Sequence, residues 1–441
     1  MVANDTTTPE RADTPPAGFR PWRQLALRVH FYAGVLVAPF LLVVAFTGLL
    51  YVFAPQLEAA VYAHQLRVPA AATETPLATQ VEAARSALPG TELKAVRPAA
   101  DDTSTTQVIF TTDDLPDSHY RTVFVAPRDA EVRGVLETYG SDQALPLRTW
   151  LDELHRNLHL GEVGRLYSEL AASWLWVVVL GGLALWFSRH RRARALRTHP
   201  PGRARVVSWH GIAGAWLAAG LLFLSATGLT WSTFAGDTVS RIRAALSWQT
   251  PVVANTVPAP AAGTDIGFDR VREIATASGL TGRVEITPPA GAGSAYTVQE
   301  VQRSWPTQQD AVAVHPETGA ITDSLRFADY PLMAKLSRWG IDAHMGLLFG
   351  WVNQVVLAAL MITLIATIGF AYRMWWLRRP TRGVVAPPPR GAWRALPRPA
   401  VPAGVLALCG LGYALPVLGV SLLAFLVVDV LLGLRSQIRA G

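Results

Sequence analysis

The sequence predicts a membrane α-helical bundle: four core transmembrane helices in two tandem repeats, a C-terminal hydrophobic hairpin, and two small α+β domains outside the bilayer. Three observations predict it. Hydrophobic residues make up 51% of the 441 and charged residues only 16%, with a mean hydropathy of +0.26. Several runs reach the roughly 20 apolar residues that cross a bilayer core of about 30 Å. Two of these runs, RVHFYAGVLVAPFLLVVAFTGLLY and SWHGIAGAWLAAGLLFLSATGLTW, agree at fixed offsets. In each, a histidine (His30, His210) is followed four residues on by glycine (Gly34, Gly214), with alanine (Ala33, Ala213) before it. A Thr-Gly-Leu triplet then begins at Thr47 or at Thr227. Finally, arginines cluster beside the apolar runs. The net charge of +7 therefore reads as the positive-inside signature and not as a nucleic-acid face.

Taken in order, residues 1–20 form a polar, disordered cytoplasmic tail with no signal-peptide cleavage site, so the first apolar run is expected to be a retained anchor. Arg20, Arg23 and Arg28 flank the first transmembrane segment (21–54), and Pro39 is expected to kink it. The first outer domain (55–148) has helical periodicity over 75–88 and β-rich pieces at 91–96, 106–111, 121–126 and 131–136. A histidine motif, HRNLHLG, and the second transmembrane helix occupy 149–188. The loop 189–207 carries Arg189, Arg191, Arg192, Arg194, Arg197, Arg203 and Arg205 and is cytoplasmic. The third transmembrane helix (208–232) leads into a second outer domain (233–335), with a helix over 268–278 and strands near 282–287, 295–299, 311–314 and 320–325. Its VHPETGAI hairpin matches VAPRDAEV in the first. The segment 336–377 holds the second histidine motif, DAHMG, and the fourth transmembrane helix. A cytoplasmic loop (378–400) precedes the hydrophobic hairpin (401–434), whose turn is expected near Tyr413 to Pro416.

Cys409 is the one cysteine, which excludes an intrachain disulfide, a Cys-ligated iron–sulfur cluster and a C-x-x-C-H haem attachment. Any haem is held non-covalently. Imidazole ligates haem iron, and two imidazoles fill both axial positions, giving an electron carrier without an open site. The repeat supplies one histidine pair for each membrane face: His30 with His210 on the cytoplasmic side, and His159 with His344 on the outer side. Small residues at Ala33, Gly34, Gly211, Ala213 and Gly214 leave room for a porphyrin between helices. His155 lies four residues before His159 on an expected helix, so the two are also placed to chelate a divalent metal such as zinc or copper. Gly340 stands where the second copy would need a counterpart of His155, so His159 is the preferred ligand and His155 the alternative. His64, His190, His199 and His315 are expected to be solvated. Asp152, Glu153 and Asp342 read as helix caps. Trp150 and Trp339 read as an interfacial belt, and Arg148, Arg156 and Arg338 as partners for propionates or an anionic substrate.

On the two histidine motifs, the repeated H-x3-G and Thr-Gly-Leu pattern and the VHPETGAI turn, the sequence resembles the PepSY-associated transmembrane family over about 20–379. The resemblance implies bacterial inner-membrane proteins, multi-pass with the N-terminus cytoplasmic, whose two periplasmic domains are PepSY-like. Some members resemble haem-containing reductases that release iron from ferric siderophores. It implies two haem b groups, with axial ligands on His30 and His210, and on His159 (or His155) and His344. The implied partners are the lipid bilayer, a ferric siderophore or other Fe(III) chelate, and an electron donor, either a quinol or a cytoplasmic reductase. No nucleic acid is implied. Two other readings of the sequence are a non-enzymatic sensor or inhibitor and a subunit of a siderophore transporter.

Overall fold

The computed structural model describes residues 20–70, 73–190, 202–258, 264–377 and 395–438. The expected disordered tail, most of the basic loop including His199, and most of the 378–400 loop lie outside the described residues. The chain opens with α1 (Arg20–Val52), which runs unbroken through Pro39, then α2 (Ala54–Val61) and α3 (Ala63–Leu66). Next come α4 (Leu77–Ala87), β1 (Glu92–Arg97), β2 (Thr106–Thr111), β3 (His119–Val125) and β4 (Val132–Tyr139). Helices α5 (Pro146–Asn157), α6 (Gly161–His190), α7 (Arg203–Leu229) and α8 (Phe234–Ala245) follow. The second half of the sheet is introduced by α9 (Gly267–Ala277) and comprises β5 (Val284–Thr287), β6 (Tyr296–Glu300), β7 (Ala311–Val314) and β8 (Ile321–Leu325). The chain ends with α10 (Leu332–His344), α11 (Gly350–Trp376), α12 (Ala400–Ala414) and α13 (Pro416–Ile438).

Among the described residues, five helices are long and apolar enough to cross a membrane: Pro21–Val52, Gly161–Ser188, Arg203–Leu229, Gly350–Trp376 and Pro416–Arg435. The protein is thus a helical membrane protein. The C-terminal apolar region is a hairpin, as expected, turned at Leu415 between α12 and α13. Its first arm is short: 15 residues at about 1.5 Å each fall short of a bilayer core.

The chain divides into two compact units. One takes in residues up to 43, 169–238 and 363 onward. Within it the indole nitrogen of Trp174 donates to Ser421 Oγ at 2.8 Å, and Ser225 Oγ donates to the Ala172 carbonyl. Glu169, only 2% exposed, caps the start of α8 by accepting from the backbone N–H of Phe234 and Ala235 at 3.0 and 2.9 Å. Arg28, expected as a flanking charge, is instead buried and paired with Asp429 of α13.

The other unit comprises 44–168 and 239–362. It corrects the expectation of two separate α+β domains. All eight strands form one antiparallel sheet in the order β4-β3-β2-β1-β5-β6-β7-β8, joined at its middle where Val96 pairs with Ile286. The alternation of the strands explains why. Val96, Val108, Phe110 and Val125 from one half and Ile286, Val298, Val312 and Val314 from the other belong to one buried cluster. Helix α4 adds Leu77, Val81 and Ala84, and α9 adds Phe268, Val271 and Ala275, each set on one helical face. Asp269 of α9 also accepts from the N–H groups of Leu77 and Ala78 at 2.6 and 2.9 Å, capping α4 from the other half. The predicted hairpin turns are present. Gly319 between β7 and β8 has φ +69° and Ala130 between β3 and β4 has φ +56°, and His315 Nδ1 accepts from the Glu317 N–H.

Candidate functional site

The first candidate site is built from α1, α6, α7 and α11. His30 and His210, far apart along the chain, come together with ring centroids 6.2 Å apart. Each ring is fixed by a backbone carbonyl: His30 Nδ1 lies 2.9 Å from Val178 O and His210 Nδ1 lies 3.1 Å from Thr367 O. A carbonyl only accepts, so Nδ1 carries the proton in both rings and Nε2 keeps its lone pair. That is the tautomer a metal ligand needs.

The surroundings fit a flat macrocycle. An imidazole–metal bond of about 2.0–2.1 Å on either side of one metal ion puts the two ring centres roughly 6 Å apart, which matches the observed separation. A Cβ placed on Gly34 or on Gly214 meets no heavy atom within 4 Å, so space is open one helical turn beyond each histidine. The opposite holds on α6: a Cβ on Gly182 falls 3.1 Å from His30 Cε1, and one on Gly181 falls 3.3 Å from its Cβ. The glycine pair at Gly181 and Gly182 therefore makes the bed on which the His30 ring lies. Sequence reasoning missed it because it has no counterpart in the matched motif.

The second candidate site gathers differently from expectation. Helix α5 ends at Asn157, and Leu158 and His159 both take positive φ, each 54°. His155 and His159 therefore do not share a helix face, and the expected i, i+4 chelate is not formed. Among the described residues no group of three or more His, Cys, Asp or Glu side chains is placed to hold a metal ion. His159 is exposed, its Nδ1 is 3.2 Å from Glu153 Oε2, and its ring lies 5.0 Å from that of Trp150. His155 is the enclosed one. The Thr47 hydroxyl donates to Val44 O at 3.1 Å, so its oxygen accepts from His155 Nδ1 at 3.0 Å, leaving Nε2 unprotonated. Desolvation by the protein around it lowers the His155 pKa to about 4, against a weaker upward pull from the Val44 carbonyl. The ring is neutral at neutral pH. A Cβ on Gly48 would fall 3.1 Å from His155 Cε1. Thr47 and Gly48 of the repeated triplet are thus the seat of His155: one binds it and the other admits it. His344 is the last residue of α10 and half-buried.

The arginines near this site are held by carboxylates. Arg148 lies 3.3 Å from Glu58 and 3.2 Å from Asp142; Arg156 bonds the Tyr139 hydroxyl at 2.7 Å. Asp342 is no helix cap. It is fully buried and holds Arg303 at 2.6 Å and Arg338 through both its oxygens. Trp339 packs among Trp305 and Phe327 at 5.7 and 6.0 Å instead of standing alone as a belt residue. His64, expected solvated, is exposed and bonds Arg133 at the surface at 2.9 Å.

Apolar spanning helices, an extramembrane-type antiparallel sheet and histidines paired across helices define a multi-pass membrane protein with an intramembrane imidazole pair. A family model described as PepSY-associated TM region matches residues 27–378. The chain belongs to that family. A comparison with curated proteins finds no match.

Proposed function

We propose that the chain is a di-haem b electron-transfer protein of the bacterial inner membrane that reduces ferric chelates, ferric siderophores foremost, on the periplasmic side. The observation that carries this reading is the His30–His210 pair, 6.2 Å apart with both Nδ1 atoms committed to carbonyls. A haem with both axial positions filled supplies one-electron transfer without an open iron position.

The residues of the chain do the rest. His30 and His210 would hold one group, with Val178 O and Thr367 O fixing their tautomers and Gly34 and Gly214 leaving room beside them. His155 is the better-prepared ligand for the second group, because Thr47 orients it and burial keeps it neutral; His344 is its proposed partner, and His159 stands at the surface beside Glu153. Electrons come from a quinol or a cytoplasmic reductase, and Fe(III) in the chelate accepts them. Reduction weakens the chelate because hard oxygen donors hold Fe(III) better than the softer Fe(II).

The test is an absorption spectrum with a pyridine haemochrome count on protein purified from haem-replete cells. We expect a low-spin spectrum and two haems per chain, falling to one in His210→Ala. A colourless wild-type protein would end the proposal.

A further inference from the structure

The unit built on the sheet contains a cavity of about 830 Å³, within the usual range of roughly 300–1,000 Å³ for small-molecule sites. Its floor is the sheet face opposite α4 and α9. Because side chains alternate along a strand, the residues between the buried ones emerge there: Arg97 beside Val96, Glu285 beside Ile286, Gln299 beside Val298. Helices α5 and α10 supply Arg148 and Arg338 to the wall.

The lining is unusually cationic. Seven arginines face three carboxylates, Glu58, Asp142 and Glu285, an excess of four. Asp342, behind Arg303 and Arg338, and Asp101, 3.8 Å from Arg67, reduce that excess to two. The two that remain can be named. Among the described residues no carboxylate lies within ion-pair distance of Arg243 or Arg283. Arg243 reaches only the Trp248 carbonyl, at 3.5 Å, and its Nε is buried without an acceptor. Arg283 is exposed and Arg243 half-buried, so both are open to an incoming anion, and the buried Arg243 Nε is a donor that still lacks its acceptor. Guanidinium forks match carboxylate oxygens two at a time, while Phe327 and Tyr330 in the same wall offer apolar contact.

We infer that this cavity binds a soluble polycarboxylate of at least two negative charges, and, resting on the reductase reading above, that the preferred substrates are carboxylate-type ferric chelates and not uncharged ones. Arg243 and Arg283 select the ligand. The other arginines, held in place by Glu58, Asp142, Glu285 and Asp342, shape the site around it.

The test is titration calorimetry of the full-length protein in uncharged detergent, with citrate, ferric citrate and an uncharged ferric tris-hydroxamate as probes. Citrate and ferric citrate should bind one per chain, more weakly as salt rises, and the hydroxamate at least tenfold more weakly. Arg243→Gln and Arg283→Gln should each weaken citrate about tenfold, and Arg283→Lys, which keeps the charge on an exposed residue, should weaken it less. Equal binding of charged and uncharged chelates, no citrate binding, or wild-type affinity in both glutamine variants would overturn the inference. So would loss of citrate binding in nanodiscs containing phosphatidylglycerol but not in phosphatidylcholine alone, which would assign the site to an anionic headgroup. The two proposals fail separately: a red protein that ignores citrate loses only the anion site, and a colourless protein that binds it loses only the haem.

Discussion

At the scale of single residues, hydrogen bonds decide which charges and tautomers persist. Asp101 shows it outside the membrane. Its carboxylate accepts from the Thr103 hydroxyl at 2.7 Å, the Ser104 hydroxyl at 2.7 Å and the Thr103 N–H at 3.0 Å, which hold its pKa down to about 2 from 3.8. A lowered carboxyl pKa stabilises the fold in full above 3.8, and that contribution disappears as pH falls toward 2. The group is exposed, so the effect should stay below about 1 kcal/mol. Asp101→Asn should flatten the acid limb of a pH–melting curve in that window; an unchanged limb would contradict the assignment. His30 and His210 were legible in sequence as an ionisable pair repeated in apolar runs. Their carbonyl partners were not, since a backbone oxygen four helices' worth of sequence away leaves no residue-type signal. His155 was under-read for a related reason. The argument from repetition favoured His159, whereas the left-handed turn at Leu158 and His159 swings that ring away to Glu153.

At the scale of elements, the close approach of α6 to His30 rests on two glycines. Gly182→Ala places a methyl group 3.1 Å from His30 Cε1, closer than the ring can accept without moving. Overpacking of this kind costs about 1–3 kcal/mol. It should lower the melting temperature and reduce haem content toward one per chain. Gly369→Ala on α11, where a Cβ meets nothing within 4 Å, is the matched control and should change neither. Similar loss in both variants would mean that helix propensity alone is being measured. The elements themselves were largely readable: hydrophobic length gave the spanning helices, and alternation gave the eight strands to within a few residues. Helices α2, α3, α8 and α10 escaped because they are short and amphipathic or lie beside longer apolar runs that dominate the pattern.

At the scale of the molecule, the joint between β1 and β5 makes one cooperative body from two similar-looking halves. Val96 and Ile286 are both fully buried there. Ile286→Asp puts an unpaired carboxylate in that joint, at a cost of several kcal/mol. Hydrogen-exchange protection in β3 and in β7 should then fall together; β3 staying protected while β7 opens would mean two independent domains. Sequence could not reveal the joint. Each half carries a complete set of strands and one helix, and nothing in the pattern of either says which edge it offers to the other.

That joint also orders the events of synthesis. Until residues near 286 have been made and delivered, β1 is a lateral strand with unsatisfied amides, and nearly two hundred residues of chain, by rough count, must emerge before its neighbour exists. For that interval the early half is a nascent sheet open to foreign strands, so biogenesis of this protein should depend on a holding chaperone on the side where the sheet assembles.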